Sequence, residues 1–206
     1  MKRVAWWARG VVALLAAAAM ASSAACSKRE DAGAVATAGP QSDAGAIVDP
    51  PLLAFLSEAR ALHHEANLHE ASNEPSRAIE ALVRLTHAPK PHPETTTPEV
   101  EEVLADTYAR LAELRMRTGD LDGAAHDIQD GVTHAEAPSY FRGHLLEVAG
   151  IIEEARAASL ADAGRRTDSN RARDRALSLL REAVEIQKKV ITGPPAVSGP
   201  LPNGPP

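Results

Sequence analysis

The chain has 206 residues, with 28 acidic and 22 basic side chains, a formal net charge of −6, eight histidines and one cysteine. Phe, Trp and Tyr together make up only 3% of it. The acidic balance argues against nucleic-acid binding, because phosphate backbones attract basic surfaces. The shortage of aromatic side chains argues against a carbohydrate-binding role.

The N-terminal segment, residues 1–25, has the three-part order of a secretory signal peptide. Positive charge at Lys2, Arg3 and Arg9 precedes an apolar run from Val11 to Met20, and small residues follow. The uncharged stretch is shorter than the roughly 20 residues that a comfortable membrane span needs. We therefore expect export and cleavage, with a retained membrane anchor as the alternative.

The only cysteine follows directly. The stretch Ser23-Ala24-Ala25-Cys26 resembles a bacterial lipobox, in which the cysteine takes a diacylglycerol and becomes the mature N-terminus. The resemblance implies a lipid anchor on Cys26, and Ser27 implies sorting to the outer membrane, facing the periplasm. Ser23 stands where the lipobox prefers leucine, and the same bond also fits cleavage by ordinary signal peptidase. Cleavage there changes the net charge from −6 to −9.

Composition divides the rest of the chain into three parts. Residues 26–50 are rich in Ala, Gly, Asp, Ser and Pro and contain few large apolar side chains. Such a segment cannot bury enough surface to fold, so we interpret it as a tether. Residues 51–192 have the size of one domain and helix-favouring proportions of Ala, Leu, Glu and Arg. Residues 193–206 are rich in Pro and Gly and read as a disordered tail.

Apolar residues at spacings of three and four predict an all-α domain of six antiparallel helices in three hairpins. The helices are expected over residues 51–71, 75–86, 97–119, 121–136, 139–163 and 169–191. Pro51, Pro75 and Pro98 suit first helical turns, and Gly119 suits a helix stop.

Residues 105–138 resemble one tetratricopeptide repeat (TPR). The matching positions are an aromatic, a Leu–small pair, a turn glycine and a small–large–small pattern: Tyr108, Leu111, Ala112, Gly119, Ala124, Ile128 and Gly131. Arg115 stands where the family usually has a second aromatic. In the flanking hairpins, Ala78 and Ala176 are the expected counterparts of Ala124, at separations of 46 and 52 residues, against about 34 in a strict array. A plain helical bundle is the alternative.

The resemblance also implies a ligand face along the first helix of each hairpin. Carried over by position, this predicts a partner groove of Arg60, His63, Asn67, Asp106, Arg110, Glu113 and Arg117. The lysines of the family's peptide-carboxylate clamp are missing, so a chaperone-type clamp is not expected. No catalytic motif occurs in the sequence. We expect an adaptor or scaffold that binds another cell-envelope protein, with no enzymatic activity, no cofactor and no nucleic-acid partner. The alternative for the groove residues is that they are ordinary polar residues facing solvent.

Two further features suggest other interactions. The histidines allow a periplasmic bundle that binds a metal or small ligand between helices, but His63, His64 and His69 lack the three- or four-residue spacing of a local chelate. We assign no metal ligands. Residues 165–191 carry eight basic and four acidic side chains. This suggests that helix six docks an acidic partner or anionic lipid, with a solvated face as the alternative.

Overall fold

The computed structural model describes residues 49–193. Within that range the chain is all-helical, as predicted, with six helices: α1 (Pro50–Ala71), α2 (Pro75–Thr86), α3 (Pro98–Arg117), α4 (Leu121–Thr133), α5 (Tyr140–Asp162) and α6 (Arg166–Thr192). The predicted signal peptide, Cys26, most of the tether and the tail after residue 193 lie outside the described residues. None of the six helices is both long and apolar enough to cross a membrane.

Local capping explains where the helix ends differ from the prediction. α2 has the predicted bounds, but α1 begins one residue early because Asp49 accepts a hydrogen bond from the Leu52 amide at 3.3 Å. α4 ends at Thr133 instead of residue 136, and α5 begins after Ser139, whose hydroxyl accepts from the Arg142 amide. Side-chain oxygens at such positions satisfy amides that lack a helical partner.

The start of α6 was predicted wrongly. The expected first residue of this helix was Ser169, yet α6 begins three residues earlier, at Arg166. The Ser169 side chain is buried, and its hydroxyl donates to the Ala157 carbonyl of α5 at 2.7 Å. Serine is used here to join two helices, a role that local sequence does not reveal.

The turns inside the three hairpins repeat one structure. Asn73, Gly119 and Gly164 each have positive φ, at 58°, 88° and 75°, and they lie 46 and 45 residues apart. The next residue in each turn donates its amide five residues back, as in Asp120 N to Arg115 O at 2.9 Å. This Schellman geometry ends a helix at a left-handed residue, so the chain contains a structural repeat of about 46 residues.

The repeat corrects the predicted register of the third hairpin. Counted from the turns, Ser169 is the counterpart of Ala78 and Ala124, whereas the sequence pattern suggested Ala176. Ala78, Ala124 and Ser169 are all buried small residues. A second set of buried small residues recurs at equivalent places on the first helices: Ala66, Ala112 and Ala157. Small side chains at repeated positions let the paired helices approach closely.

The helices stack in chain order, each packing on the next, and α3 also touches α1 and α5. The first helices of the hairpins therefore form one continuous layer. The core runs along the stack in successive clusters, from Phe55 and Leu104 near one end to Leu146 and Ile186 near the other. Such an arrangement, in which each unit contacts its neighbours, is typical of repeat domains.

The seven residues singled out for TPR-like packing lie at the centre of this stack. Leu111, Ala112, Ala124, Ile128 and Gly131 are buried. Tyr108 is half-buried and stacks on His134 with ring centroids 5.5 Å apart, and Gly119 forms the turn. Arg115, at the position where an aromatic was expected, donates from Nε to Asp127 at 2.7 Å and so ties α3 to α4.

Candidate functional site

Two cavities open on the layer formed by α1, α3 and α5. The first, about 480 Å³, lies between Arg60 and His63 of α1, Glu102 and Asp106 of α3 and Phe141 of α5. The second, about 500 Å³, continues between Glu70 of α1, the C-terminal half of α3 and His144 of α5. Asp106 lines both cavities. We call the two together the α1–α3–α5 groove.

The structure brings the seven predicted groove residues together. Six line the cavities: Arg60, His63, Asp106, Arg110, Glu113 and Arg117. The seventh, Asn67, accepts a hydrogen bond from the Arg110 guanidinium through its side-chain oxygen. The predicted residues therefore share one surface.

Glu70 organises the second cavity. Its two carboxylate oxygens accept from Arg110 and from Arg117, so one acid on α1 fixes two guanidinium groups of α3. Burial is the largest single influence on the pKa of Glu70 and raises it. The hydrogen bonds and charges of the two arginines together outweigh burial and hold that pKa below its ordinary value.

His63 occupies the boundary between groove and core. Its Nε2 lies 3.0 Å from the Thr107 hydroxyl, which is fully buried and itself donates to the Val103 carbonyl at 2.7 Å. Burial lowers the pKa of His63, Asp106 opposes that effect, and Arg110 adds to it. The neutral imidazole is therefore the form that the fold favours.

The central helix of the groove carries a row of acids. Glu99, Glu102, Asp106 and Glu113 follow one another at spacings of three, four and seven residues, over about 21 Å of α3. All four line a cavity, and within residues 49–193 none of them makes a salt bridge. Beside this row lie apolar side chains, among them Val103 and Ile151. The groove can therefore bind a ligand that is both basic and apolar.

Several groove residues were missed by the sequence reasoning. Glu70 follows Asn67 by three residues on the same helix face, so continuing that spacing would have found it. His144, Val148 and Ile151 of α5 were missed for another reason. The resemblance was carried over to the first helices of the first two hairpins only, so no groove positions on α5 were predicted.

Seven of the eight histidines contact a hydroxyl, a carboxylate, a carbonyl or an aromatic ring. The pairs are His63 with Thr107, His69 with Glu74, His87 with the Val83 carbonyl, His92 with Asp49, His126 with Asp130, His134 with Glu101 and His144 with the Tyr140 ring. Among residues 49–193, no three side chains of metal-ligating type come together.

A search against protein-family models, characterised proteins and solved structures finds no match to the chain.

Proposed function

We propose that this chain is an interaction domain whose α1–α3–α5 groove binds a basic, partly apolar segment of another protein of the cell envelope. The observation that carries the proposal is the row of unpaired acids along α3, set beside apolar side chains in two joined cavities. Within residues 49–193 these four carboxylates make no salt bridge, so they attract a cationic ligand.

The first cavity defines the chemistry of the contact best. It holds three carboxylates, Glu99, Glu102 and Asp106, against the single guanidinium of Arg60. Leu56 and Phe141 supply its apolar wall. A lysine or arginine followed closely by an aliphatic side chain would satisfy both parts of this surface, because charge complementarity guides association and apolar burial holds it.

A photo-crosslinking experiment in the envelope tests the proposal. A benzophenone amino acid replaces His144 inside the groove, and the chain is irradiated in cells before purification. The expected result is a covalent partner that disappears when Glu102→Lys and Asp106→Lys are added. The crosslinked peptide of the partner should carry net positive charge.

The matched control reverses two acids that do not line the groove, Glu80→Lys and Asp162→Lys. Both side chains are exposed, and the change in net charge is the same. Partner capture should survive in this control. Capture that is equal in wild type, groove variant and control would contradict the groove, and loss in both variants would reveal only nonspecific charge attraction.

The lipid anchor on Cys26 is a second part of the proposal and rests on the lipobox resemblance alone. It predicts that cells fed labelled palmitate incorporate the label into the wild-type chain and not into Cys26→Ser. Fractionation should then recover the wild type with the outer membrane. Label in neither chain, with cleavage retained, would favour a free periplasmic protein.

A further inference from the structure

Among the described residues, the last helix has one face that no other helix covers. Of the five other described helices, α6 packs only on α5, through residues such as Ala176, Ala183 and Ile186. On a different side, Leu177, Val184 and Ile191 are exposed by 45%, 63% and 81%. They are seven residues apart, so they form a nearly straight aliphatic row about 21 Å long.

Four basic side chains accompany this row. Arg166, Arg173, Arg181 and Lys188 lie within about 60° of it around the helix axis, at 100° per residue. All four are exposed, and within the described residues none makes a salt bridge. Their neighbours on the same helix differ, because Arg165 and Arg171 pair with Asp168, and Arg175 pairs with Glu153 of α5.

The acids of α6 lie away from the row. Asp174 and Glu185 are about 80–100° from it, and Asp168 and Glu182 are on the opposite half of the helix. A second copy of α6 would therefore bring like charges together. The charge pattern favours an anionic occupant.

The shape of this surface favours a lipid bilayer over a peptide. The row lies on a single helix, and none of its residues belongs to either cavity of the groove. A flat bilayer can accept aliphatic side chains from one helix while long basic side chains reach its headgroups. We propose that the face formed by Leu177, Val184, Ile191 and the four basic residues docks on an anionic membrane surface.

The proposal is independent of the groove and is tested with vesicles. Binding of the full chain is compared on pure phosphatidylcholine and on phosphatidylcholine mixed with phosphatidylglycerol. The N-terminal segment carries Lys2, Arg3 and Arg9 and also favours anionic vesicles, but it is the same in wild type and variants. The change in the ratio between wild type and variant therefore reports the charged face of α6. Wild type should prefer the anionic vesicles by about tenfold or more, and high salt should reduce the preference.

Three variants separate the contributions. Arg173→Glu, Arg181→Glu and Lys188→Glu together should remove most of this preference. The charge-matched control Arg77→Glu, Arg171→Glu and Lys189→Glu should keep it, because these residues lie elsewhere on the surface. Leu177→Ser, Val184→Ser and Ile191→Ser should weaken anionic binding by about tenfold with all charges retained. Thermal melting checks that each variant is folded.

Several outcomes would overturn the proposal. A wild-type ratio of one would exclude an anionic lipid surface as the partner of this face and would make an acidic protein the next candidate. An equal loss in the two charge variants would reduce the effect to overall charge, and full binding by the serine variant would exclude insertion of the row. A concentration-dependent dimer that only the α6 variants abolish, with an unchanged vesicle ratio, would assign the face to a second copy.

Discussion

Thr107 fixes the proton of His63. The Thr107 hydroxyl donates its single hydrogen to the Val103 carbonyl at 2.7 Å, so it accepts from His63 Nε2 at 3.0 Å. The proton of the neutral ring is therefore on Nε2. This bond joins α1 to α3 at the floor of the groove. Burial, and not this bond, favours the neutral form of the imidazole, because Nε2 donates in both protonation states.

The lowered pKa of His63 predicts a loss of stability in mild acid. In the unfolded chain, His63 has a pKa near the ordinary value of 6.5, which is above its pKa in the folded chain. The unfolded chain therefore binds the proton more tightly. Stability is then fully present above about pH 6.5 and is lost as the pH falls through the folded pKa. Urea unfolding at about pH 7.5 and 5.5 should show a smaller pH dependence for His63→Gln than for wild type.

The control for this experiment is His64→Gln, which removes an exposed imidazole from the same helix. At about pH 7.5, His63→Gln itself should cost no more than about 1 kcal/mol, since glutamine can still donate to Thr107. Identical pH profiles for wild type and His63→Gln would contradict the assignment.

Arg115 and Asp127 form the most buried ion pair between α3 and α4. Burial is the larger influence and raises the pKa of Asp127, although Arg115 opposes it. Arg115→Met should destabilise the chain by about 1–3 kcal/mol near neutral pH, because it leaves a buried carboxylate without its cation. The double variant with Asp127→Leu should recover part of this loss.

The pH dependence of Arg115→Met gives an independent check. A carboxyl whose folded pKa is above the unfolded value costs stability as the pH rises through it. The cost of Arg115→Met should therefore be smaller at about pH 4.5 than at about pH 7. A cost that is constant with pH, or a double variant less stable than Arg115→Met alone, would show that packing dominates.

At Gly131, α4 packs closely against α3 and α5. A Cβ there would lie 2.6 Å from Leu145 Cδ2 and 2.9 Å from Tyr108 Cβ. Gly→Ala inside a helix ordinarily stabilises by about 0.5–1 kcal/mol, but Gly131→Ala should instead cost about 1–3 kcal/mol through overpacking. The sign of the change in the free energy of unfolding, measured by urea unfolding, is the test. The control is Ser178→Ala at an exposed position, which should be near neutral.

The sequence predicts the helices well where prolines and glycines mark their ends. α2 is bounded as expected because Pro75 and the prolines after His87 limit it. The start of α6 is different, because Ser169 is buried by contact with a residue 12 positions earlier, Ala157. Such a contact belongs to tertiary packing and leaves no local signal.

The groove residues on α1 and α3 were predicted from the tetratricopeptide resemblance, and their helical spacing agrees with it. Polar residues three or four apart on a helix necessarily share a face, which groups Arg60 with His63 and Asp106 with Arg110. The α5 wall was not predictable from the repeat pattern, because small residues recur at more than one spacing in an alanine-rich helix. The equivalence of Asn73, Gly119 and Gly164 sets the register, and it depends on backbone φ angles.

Glu70 links the stability of the domain to the charge of its groove. The carboxylate bridges Arg110 and Arg117, and its lowered pKa means that the bridge stabilises the fold above the ordinary value of 4.5 and is lost as the pH falls through the folded pKa. All three side chains are partly exposed, so Glu70→Gln should cost at most about 1 kcal/mol near pH 7, and this cost should shrink as the pH falls below the ordinary pKa of 4.5. Its larger effect should be on binding. Without Glu70, two uncompensated guanidinium groups face the groove, and capture of a basic partner through the benzophenone at position 144 should fall while Glu80→Gln leaves it unchanged. Stronger capture by Glu70→Gln would mean that the groove binds an acidic segment, and the sign of the partner's charge would have to be reversed.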